Sequence, residues 1–279
     1  MRILIVGCGY VGVRLAHRLM SDGHTVYGLR RNPPPDNSQI NWISHDLNNP
    51  DYNAMPEADA MVLAAGLRRD TDDQYQRLFV DGYSRLLNFT VQNRPQVNRI
   101  VMISTTGVFA ESNGGWVDEQ SPVDHKRSPA RFYLEAEQIV LNLPKSTSIV
   151  RLAGIYGPGR IRLIKEVAER MARLHPPPPH YLNHLHVDDA AGAIAHALLH
   201  SQPAPIYVAS DPNPTDRNEV LSWIAHTLKM ESIPAAAENT LPPPRRSGNK
   251  RCLPRKLLLE GYKFAFHSYR DGYAGLLPD

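Results

Sequence analysis

The chain has 279 residues, of which 42% are hydrophobic and 21% are charged, and its formal net charge is +3. This length fits one large α/β unit or a cofactor domain with a smaller second lobe, in a protein of ordinary globular composition. The basic residues form no clustered face for nucleic acid, and no apolar run approaches the roughly 20 residues that span a membrane, so we expect neither partner.

The cysteines and the start of the chain indicate a compartment. Cys8 and Cys252 are the two cysteines and provide no disulfide framework. Residues 1–7 lack the basic region, apolar core and cleavage site of a signal peptide. We therefore expect a protein of the reducing cytoplasm.

The first half of the chain alternates between strand-like and helix-like segments. Apolar and β-branched runs predict strands at residues 2–6, 25–29, 40–43, 60–65, 99–104 and 146–152. Apolar residues at helical spacing predict helices at residues 11–19, 73–93 and 130–142. Strands that alternate with helices form a parallel sheet covered on both faces, so the sequence predicts a Rossmann-type, doubly wound α/β fold.

Beyond Gly157 the pattern changes to helical segments separated by proline-rich loops. The predicted elements there are helices at residues 161–174, 188–200 and 217–229 and a strand at 206–209. We therefore predict a dinucleotide-binding Rossmann domain at residues 1–154, to which residues 186–210 return. A smaller, mostly helical C-terminal substrate lobe is predicted at residues 155–185 and 211–279.

A glycine-rich motif directly follows the first predicted strand. Gly7, Gly9 and Gly12 form Gly-x-Gly-x-x-Gly, with Tyr10 and Val11 between the last two. Here Gly7 permits a tight turn, Gly9 lets the backbone approach a pyrophosphate, and Gly12 allows the helix to pack closely on the strand. The N-terminus of the following helix adds donors and positive potential. The motif predicts a dinucleotide site; the alternative is a glycine turn without a ligand.

The end of the second predicted strand bears on which dinucleotide binds. An NAD site carries an acidic residue about 20 positions after the glycines, where it accepts from the ribose 2′-hydroxyl. Residues 28–32 contain no carboxylate, and Arg30 and Arg31 are found there instead. Guanidiniums suit a 2′-phosphate, so the sequence favours NADP(H) and leaves NAD(H) possible. The alternative is a solvated basic turn.

Five further segments resemble motifs of one family, in the same order. They are His-Asp-Leu at residues 45–47, Ala-Ala-Gly at 64–66, Ser-Thr-Thr-Gly-Val-Phe at 104–109, Arg-x4-Tyr-Gly-Pro-Gly at 151–159 and His-Val-Asp-Asp at 186–189. With the glycine motif, they make nearly the whole chain resemble the extended short-chain dehydrogenases/reductases, also called the NAD(P)-dependent epimerase/dehydratase family.

The resemblance implies where the cofactor and the substrate lie. Asp46 and Leu47 match the family's pair whose Asp meets the adenine. The segment that lines the cofactor corresponds to Ala64, Ala65 and Gly66. In the smaller lobe, the resemblance points to Tyr156, His186 and Arg246 as substrate contacts. Arg246 belongs to a basic stretch that corresponds to the region meeting the diphosphate of a nucleotide-sugar, and a solvated loop is the alternative.

The catalytic pair of the family, Tyr-x-x-x-Lys, is missing. Pro129 occupies the Tyr position and Tyr133 the Lys position, one helical turn further along. Tyr133 is a candidate proton donor, with packing against the cofactor or the core as its alternative. Thr105 matches the family's Ser/Thr that hydrogen-bonds the reacting oxygen, and its alternative is a hydroxyl that satisfies local backbone.

Two other clusters have structural explanations. His180, His184 and His186 are close in sequence but lack a Cys or Glu partner, so we predict no metal site. Asp188 and Asp189 precede an apolar helix, and we expect them to cap its N-terminus rather than to act as catalytic carboxylates.

Two functions are compatible with these residues. The first is an NADP(H)-dependent oxidoreductase or epimerase/dehydratase acting on a carbohydrate-like or nucleotide-linked small molecule held near Thr105 and Tyr133. The second is a non-catalytic protein that senses NADP(H) or serves as a regulatory partner, as the missing pair allows. The sequence leaves a monomer and a homodimer open.

Overall fold

The computed structural model describes residues 1–35, 39–48, 51–52, 55–67, 71–236 and 248–277. Contacts between residues separate the chain into two compact units. The first unit consists of Met1–Val108, Asp124–Arg151 and Ala191–Tyr207. The second unit consists of Phe109–Val123, Leu152–Ala190 and Val208–Asp279.

The strands are β1 (Arg2–Val6), β2 (Thr25–Arg30), β3 (Asn41–Ser44), β4 (Ala60–Leu63), β5 (Arg99–Thr105), β6 (Trp116–Val117), β7 (Ser146–Leu152), β8 (Gly154–Tyr156), β9 (Tyr181–Leu182), β10 (His184–His186), β11 (Ile206–Ala209), β12 (Thr215–Asp216) and β13 (Arg251–Cys252). The α-helices are α1 (Tyr10–Ser21), α2 (Asp72–Tyr75), α3 (Tyr83–Asn93), α4 (Ala130–Leu141), α5 (Arg162–Ala168), α6 (Val187–Leu199), α7 (Arg217–Thr227), α8 (Arg255–Leu259) and α9 (Tyr269–Ala274). Among the described residues, no helix is both long and apolar enough to cross a membrane.

A parallel sheet of seven strands, in the order β11-β7-β5-β4-β1-β2-β3, confirms the predicted Rossmann-type fold. Strand β1 lies in the interior of the sheet, with β2 and β4 as its neighbours on either side. After β1, the strands β2 and β3 are added on one side of it, and the chain then crosses over to add β4 on the other side. Ligands of open α/β sheets bind at the carboxyl ends of the strands where the order reverses in this way.

The first unit buries its strands and one face of each helix. Residues Ile3 to Val6 are at most 2% exposed, and α1 packs with Leu15 and Leu19 inward. The predicted helix at residues 73–93 is present, but a π-helical segment, Gln76–Gly82, joins α2 to α3. A glycine fits the end of that segment, since a Cβ at Gly82 would lie 3.0 Å from the carbonyl oxygen of Arg77.

The second unit contains paired short strands that the sequence analysis did not predict. They form the two-stranded pairs β10–β8, β12–β9 and β13–β6. A cluster of apolar side chains from α5, α7 and α9 packs with Tyr156 and Leu182. These strands have two or three residues, too few for an alternation of apolar and polar side chains to be visible in the sequence.

Helix α5 is shorter than the predicted helix at residues 161–174. It ends at Ala168, and Arg170 adopts φ +56°. The N–H groups of Met171 and Ala172 both donate to the carbonyl oxygen of Glu166 at 2.9 Å, which closes the helix end. The usual sequence signal for such an end is a glycine, and none is present here, so the prediction was wrong.

Candidate functional site

The predicted glycine turn lies at the carboxyl end of β1. Gly7 has φ +81°, in the left-handed region that glycine tolerates. A Cβ at Gly7 would lie 2.3 Å from the Cα of Ala65, so no side chain fits there. The N–H groups of Gly7 and Cys8 donate to the carbonyl oxygen of Leu29 at 2.8 and 2.9 Å. These contacts place the turn between the ends of β1, β2 and β4.

Helix α1 begins at this turn without a side-chain cap. Gly9 is its N-cap residue and makes no side-chain capping bond, and the first turn, which starts with Tyr10 and Val11, has no acidic residue. Local carboxylates therefore do not offset the positive end of the helix dipole. Among the described residues, a Cβ at Gly9 would meet no atom closer than 3.8 Å. Backbone donors and open space together fit a phosphate group.

Gly12 lets α1 pack close to β1. A Cβ there would lie 3.2 Å from Cγ2 of Ile5 and 3.4 Å from Sγ of Cys8. Cys8 is fully buried, which makes its thiol a packing group of the turn. The three glycines thus meet the steric demands of a dinucleotide-binding turn, and the residues present fit a nicotinamide dinucleotide.

Two arginines lie at the carboxyl end of β2. The guanidinium of Arg30 is 6.0 Å from the ring centroid of Trp42, within reach of a cation–π contact. Arg31 is exposed, and its carbonyl oxygen accepts from the hydroxyl of Ser44 at 3.0 Å. Within the part of the chain that the structure describes, neither guanidinium forms an ion pair with a carboxylate. Their charge is available to a ligand.

The other predicted cofactor contacts follow β3 and β4. Asp46 is half-buried and accepts from the N–H of Asn48 at 3.0 Å, while Leu47 is buried in the core. The N–H of Ala64 donates to the carbonyl oxygen of Val6 at 2.7 Å, which continues the hydrogen bonding between β4 and β1. Ala65 and Gly66 follow it, and Gly66 is exposed. Because β4, β1, β2 and β3 are adjacent in the sheet, its carboxyl edge brings all these segments together.

Thr105 ends β5 and has a local hydrogen bond. Its hydroxyl oxygen accepts from the N–H of Gly107 at 3.0 Å. This is the local backbone bond that the sequence analysis gave as the alternative. The hydroxyl proton is not used in that bond, because an accepting hydroxyl still has a proton to donate.

Tyr133 lies among aromatic side chains of the first unit. Its ring centroid is 4.5 Å from that of Phe79 and 6.1 Å from that of Tyr75. Burial raises the pKa of the Tyr133 phenol, and Tyr75 raises it further. The phenol is therefore protonated at neutral pH and gives up its proton less readily than a tyrosine in water.

A buried ion-pair network joins α4 to β5 and β7. Glu137 accepts from the hydroxyl of Ser104 at 2.6 Å and from Nε and Nη2 of Arg151 at 3.1 and 2.6 Å. All three side chains are at most 4% exposed. The sequence analysis missed this network. Arg151 within the apolar end of β7 was the one signal for it, because Glu137 lies in a helix that carries other charged residues, Arg131 and Glu135.

The family of the chain follows from a comparison with family models. The model of the NAD dependent epimerase/dehydratase family matches residues 3–209, about three quarters of the chain. The chain belongs to this family. The match spans the glycine turn, Thr105, Tyr133 and the motifs up to residue 189, and it confirms the resemblance seen in the sequence.

Similar proteins extend the match over the whole chain. Protein YeeZ of Escherichia coli K12 is 28% identical over 242 residues, which cover 82% of this chain and 85% of YeeZ. A structure from Methylobacillus flagellatus, assigned to the NAD-dependent epimerases/dehydratases, is 30% identical with a TM-score of 0.82, covering 99% of this chain and 97% of that one. The human epimerase family protein SDR39U1, solved with NADPH, shares the fold at 19% identity, with a TM-score of 0.78 and coverages of 98% and 97%.

Two of the predicted substrate contacts are buried inside the second unit. The rings of Tyr156 and His186 lie 5.2 Å apart. Tyr156 packs against Tyr273 at 4.6 Å, and His186 packs against Phe266 at 3.9 Å. Both side chains belong to the packed interior of this unit, and contact with a substrate stays a prediction. Arg246, the third predicted contact, lies outside the described residues.

Tyr156, His184 and Asp211 form what we call the buried polar cluster. The rings of Tyr156 and His184 are 5.7 Å apart, and the N–H of Asp211 donates to the carbonyl oxygen of His184 at 2.7 Å. Among the described residues, the Tyr156 hydroxyl, both ring nitrogens of His184 and Oδ2 of Asp211 have no hydrogen-bond partner. Burial lowers the pKa of His184 to about 4 and raises that of Asp211 to about 8. Both side chains are predominantly neutral at neutral pH.

The structure corrects the capping role predicted for Asp188 and Asp189. The carboxylate of Asp189 accepts from the N–H groups of Ala265 and Phe266 at 2.8 and 3.0 Å, so it holds a later loop. The N–H of Asp188 donates to Nδ1 of His186 at 3.3 Å, and the histidine ring therefore satisfies a donor of the first helical turn. The capping preference of Asp could not reveal a competing partner about 75 residues away in sequence.

Proposed function

We propose that the chain binds NADP(H) in preference to NAD(H) and uses it for hydride transfer to or from a carbohydrate-like or nucleotide-linked substrate. The observation that carries the cofactor preference is the pair of arginines at the end of β2. Arg30 and Arg31 replace the acidic residue of an NAD site, and no carboxylate of the described chain pairs with them. Two guanidiniums suit a 2′-phosphate. Proteins of the same fold were solved with NADPH and with NAD, so the preference proposed here rests on the two arginines.

The other cofactor contacts are proposed from the same edge of the sheet. Gly7, Gly9 and the first N–H groups of α1 would hold the pyrophosphate, since this helix end has no cap of its own. The adenine would lie against Asp46 and Leu47. Residues 64–66 would line the dinucleotide. When bound, the nicotinamide supplies or accepts the hydride, and the protein orients it.

Thr105 is the residue we propose to polarise the substrate oxygen. Its hydroxyl oxygen is fixed by the N–H of Gly107, so the direction of the hydroxyl is limited and its proton is left for a ligand. A hydroxyl with a fixed direction stabilises charge that develops on a reacting oxygen. Thr105 would be a hydrogen-bond donor in this role, because an aliphatic hydroxyl is too weak an acid to ionise.

Tyr133 is the proposed proton donor, and its surroundings limit that role. The raised pKa of the buried phenol keeps it protonated, which suits donation of a hydrogen bond more than release of a proton. We expect Tyr133→Phe to lower turnover at most about tenfold if Tyr133 only donates a hydrogen bond. If Tyr133 instead transfers a proton, we expect Tyr133→Phe to lower turnover by about a hundredfold or more.

A sensor without turnover is the second candidate function. The absent Tyr-x-x-x-Lys pair favours it, since Pro129 cannot donate a proton and Tyr133 is surrounded by Phe79 and Tyr75. The retained substrate-lobe motifs at residues 156–159 and 186–189 favour the enzyme, because a sensor needs no substrate cleft.

Calorimetric titration of the NADPH-loaded protein with a panel of nucleotide-sugars distinguishes the two functions. An enzyme predicts that one sugar class binds and that oxidation or reduction of the nicotinamide follows spectroscopically. Tight NADPH binding with no response to any sugar, in a protein that gives a cooperative unfolding transition, favours the sensor. The matched variant Thr105→Val removes the hydroxyl but keeps the branched side chain, and it is expected to lower turnover while retaining NADPH binding.

A further inference from the structure

An exposed tryptophan beside a small pocket lies within the second unit, in a part of the chain that the proposed function does not use. Trp116 is 53% exposed, which is unusual for the largest apolar side chain. The pocket beside it has a volume of about 260 Å³ and is lined by Glu111, Ser112, Asn113, Trp116 and Ser121, among others. This volume is slightly below the range for drug-sized ligands and suits one ring.

The indole of Trp116 is held in place by the strand next to it. Strand β6 pairs with β13 in parallel, and Trp116 lies opposite Arg251 in the register. The guanidinium of Arg251 lies over the indole at 4.9 Å from its centroid and over the ring of Tyr181 at 4.8 Å. Nε of Arg251 also donates to the carbonyl oxygen of Gly114 at 2.8 Å. The indole is therefore ordered by contacts on the protein side and still half open to solvent.

The polar wall of the pocket is also preorganised. The carboxylate of Glu111 accepts from the N–H of Asn113 at 2.6 Å, and bonds from this and neighbouring backbone N–H groups lower the pKa of Glu111. A Cβ at Gly248 would lie 2.7 Å from the carbonyl oxygen of Glu111, so the chain leading to β13 packs directly on this loop. The charge of Glu111 is thus satisfied by backbone donors, and it can still accept from a ligand hydroxyl.

We propose that this pocket is a carbohydrate-binding subsite in which the ring of a neutral pyranose packs against the indole of Trp116. The apolar face of a sugar ring matches an exposed indole, and its hydroxyls match the carboxylate of Glu111 and the side-chain amide of Asn113. Glu111, the charged side chain of the pocket lining, is already bonded by backbone N–H groups, and Arg251 behind the indole donates to the carbonyl oxygen of Gly114. The lining therefore presents no unpaired charge that would select an ion. The inference rests on the proposed function only in its choice of a carbohydrate ligand.

Direct binding measurements test this subsite without the cofactor. Methyl glycosides of glucose, galactose and mannose are titrated into protein with isotope-labelled tryptophan, and the three indole N–H resonances are followed by NMR. The expected result is a saturable shift of the Trp116 resonance by at least one glycoside, with Trp42 and Trp223 as internal controls. The absence of a shift at Trp116 with all three glycosides overturns the proposal.

Variants separate the indole face from a general loss of structure. Trp116→Ala is expected to weaken glycoside binding by about tenfold or more, whereas Trp116→Phe keeps a smaller ring and loses less. Leu259→Ala, at another exposed apolar position, should leave binding unchanged. Undiminished glycoside binding by Trp116→Ala overturns the proposal. So does a result in which uridine binds saturably and none of the glycosides does. NADPH titration of the same proteins reports the proposed function separately, because it needs no sugar.

Discussion

The glycine turn of the first unit and the buried polar cluster of the second both contain residues of family motifs, but they differ in access. The turn ends in an uncapped helix with open space at Gly9. In the cluster, Tyr156 and His184 are enclosed by aromatic rings and have unpartnered polar atoms among the described residues. A motif that fixes backbone geometry can therefore be assigned a role from sequence, whereas the role of a motif side chain depends on what surrounds it.

We expect the largest effect from a buried ion pair of the first unit, which contrasts with the unpartnered polar groups of the buried polar cluster. Arg151→Met leaves the carboxylate of Glu137 buried without its cation. We expect a loss of about 3–5 kcal/mol in the free energy of unfolding, measured by chemical denaturation. The control Arg77→Met breaks a pair with Asp73 in which both side chains are exposed, and should cost at most about 1 kcal/mol. Equal losses in the two variants would contradict the account.

A methyl group at Gly7 tests the backbone demand of the turn. Gly7→Ala places a Cβ against Ala65 at a positive φ, so we expect a loss of about 1–3 kcal/mol in stability and a loss of NADPH binding. Thermal unfolding and calorimetric titration measure the two effects. Gly275→Ala is the control, because a Cβ there meets no described atom within 4 Å. Retention of NADPH affinity by Gly7→Ala would show that the turn is not a ligand site.

The pH dependence of stability tests the burial of Asp211. Burial raises its pKa to about 8 from the usual 3.8, so the folded state binds the proton more tightly than the unfolded chain does. The stabilising contribution is therefore present at low pH and is lost as pH rises towards about 8. Asp211→Asn removes this dependence and should be more stable than the wild type at pH near 8 by at least about 1 kcal/mol.

Urea denaturation at both ends of that pH range, with Asp73→Asn as an exposed control, gives the measurement for Asp211. The difference between wild type and Asp211→Asn should shrink towards about pH 3, below the usual pKa of 3.8, where Asp211 is mostly protonated in both states. A difference that does not vary with pH would mean that folding leaves the pKa of Asp211 unchanged and would contradict the account.

Elements in which the apolar pattern extends over many residues could be predicted from the sequence. Elements that depend on one backbone conformation or one strand pairing could not. The strand at residues 2–6 and the helix at 130–142 were found because their apolar residues repeat over several turns or strand positions. The early end of α5 depends on the positive φ of Arg170, for which no glycine signals. The strands β6 and β13 have two residues each, and they are recognisable as strands only because they pair with each other.

The candidate site shows the same division. The steric roles of Gly7 and Gly12 could be predicted because each is the residue type that a local requirement selects. The cofactor role of Arg30 and Arg31 stays a prediction. The network of Ser104, Glu137 and Arg151 joins three segments far apart in sequence, and no local pattern connects them. The partners of Asp189 were hidden for the same reason. Hydrogen-bond and ion-pair partners that are far apart in the chain therefore could not be predicted from this sequence alone.

Calorimetric titration of NADPH and NADH into the wild type and into the double variant Arg30→Ala, Arg31→Ala tests the central claim most directly. The account predicts that the wild type binds NADPH about tenfold or more tightly than NADH, through charge-assisted bonds to the 2′-phosphate. The double variant should lose this preference and keep its NADH affinity, while the control Arg18→Ala, at the far end of α1, changes neither. Unchanged NADPH affinity in the double variant, or no binding of either dinucleotide by the wild type, would contradict it.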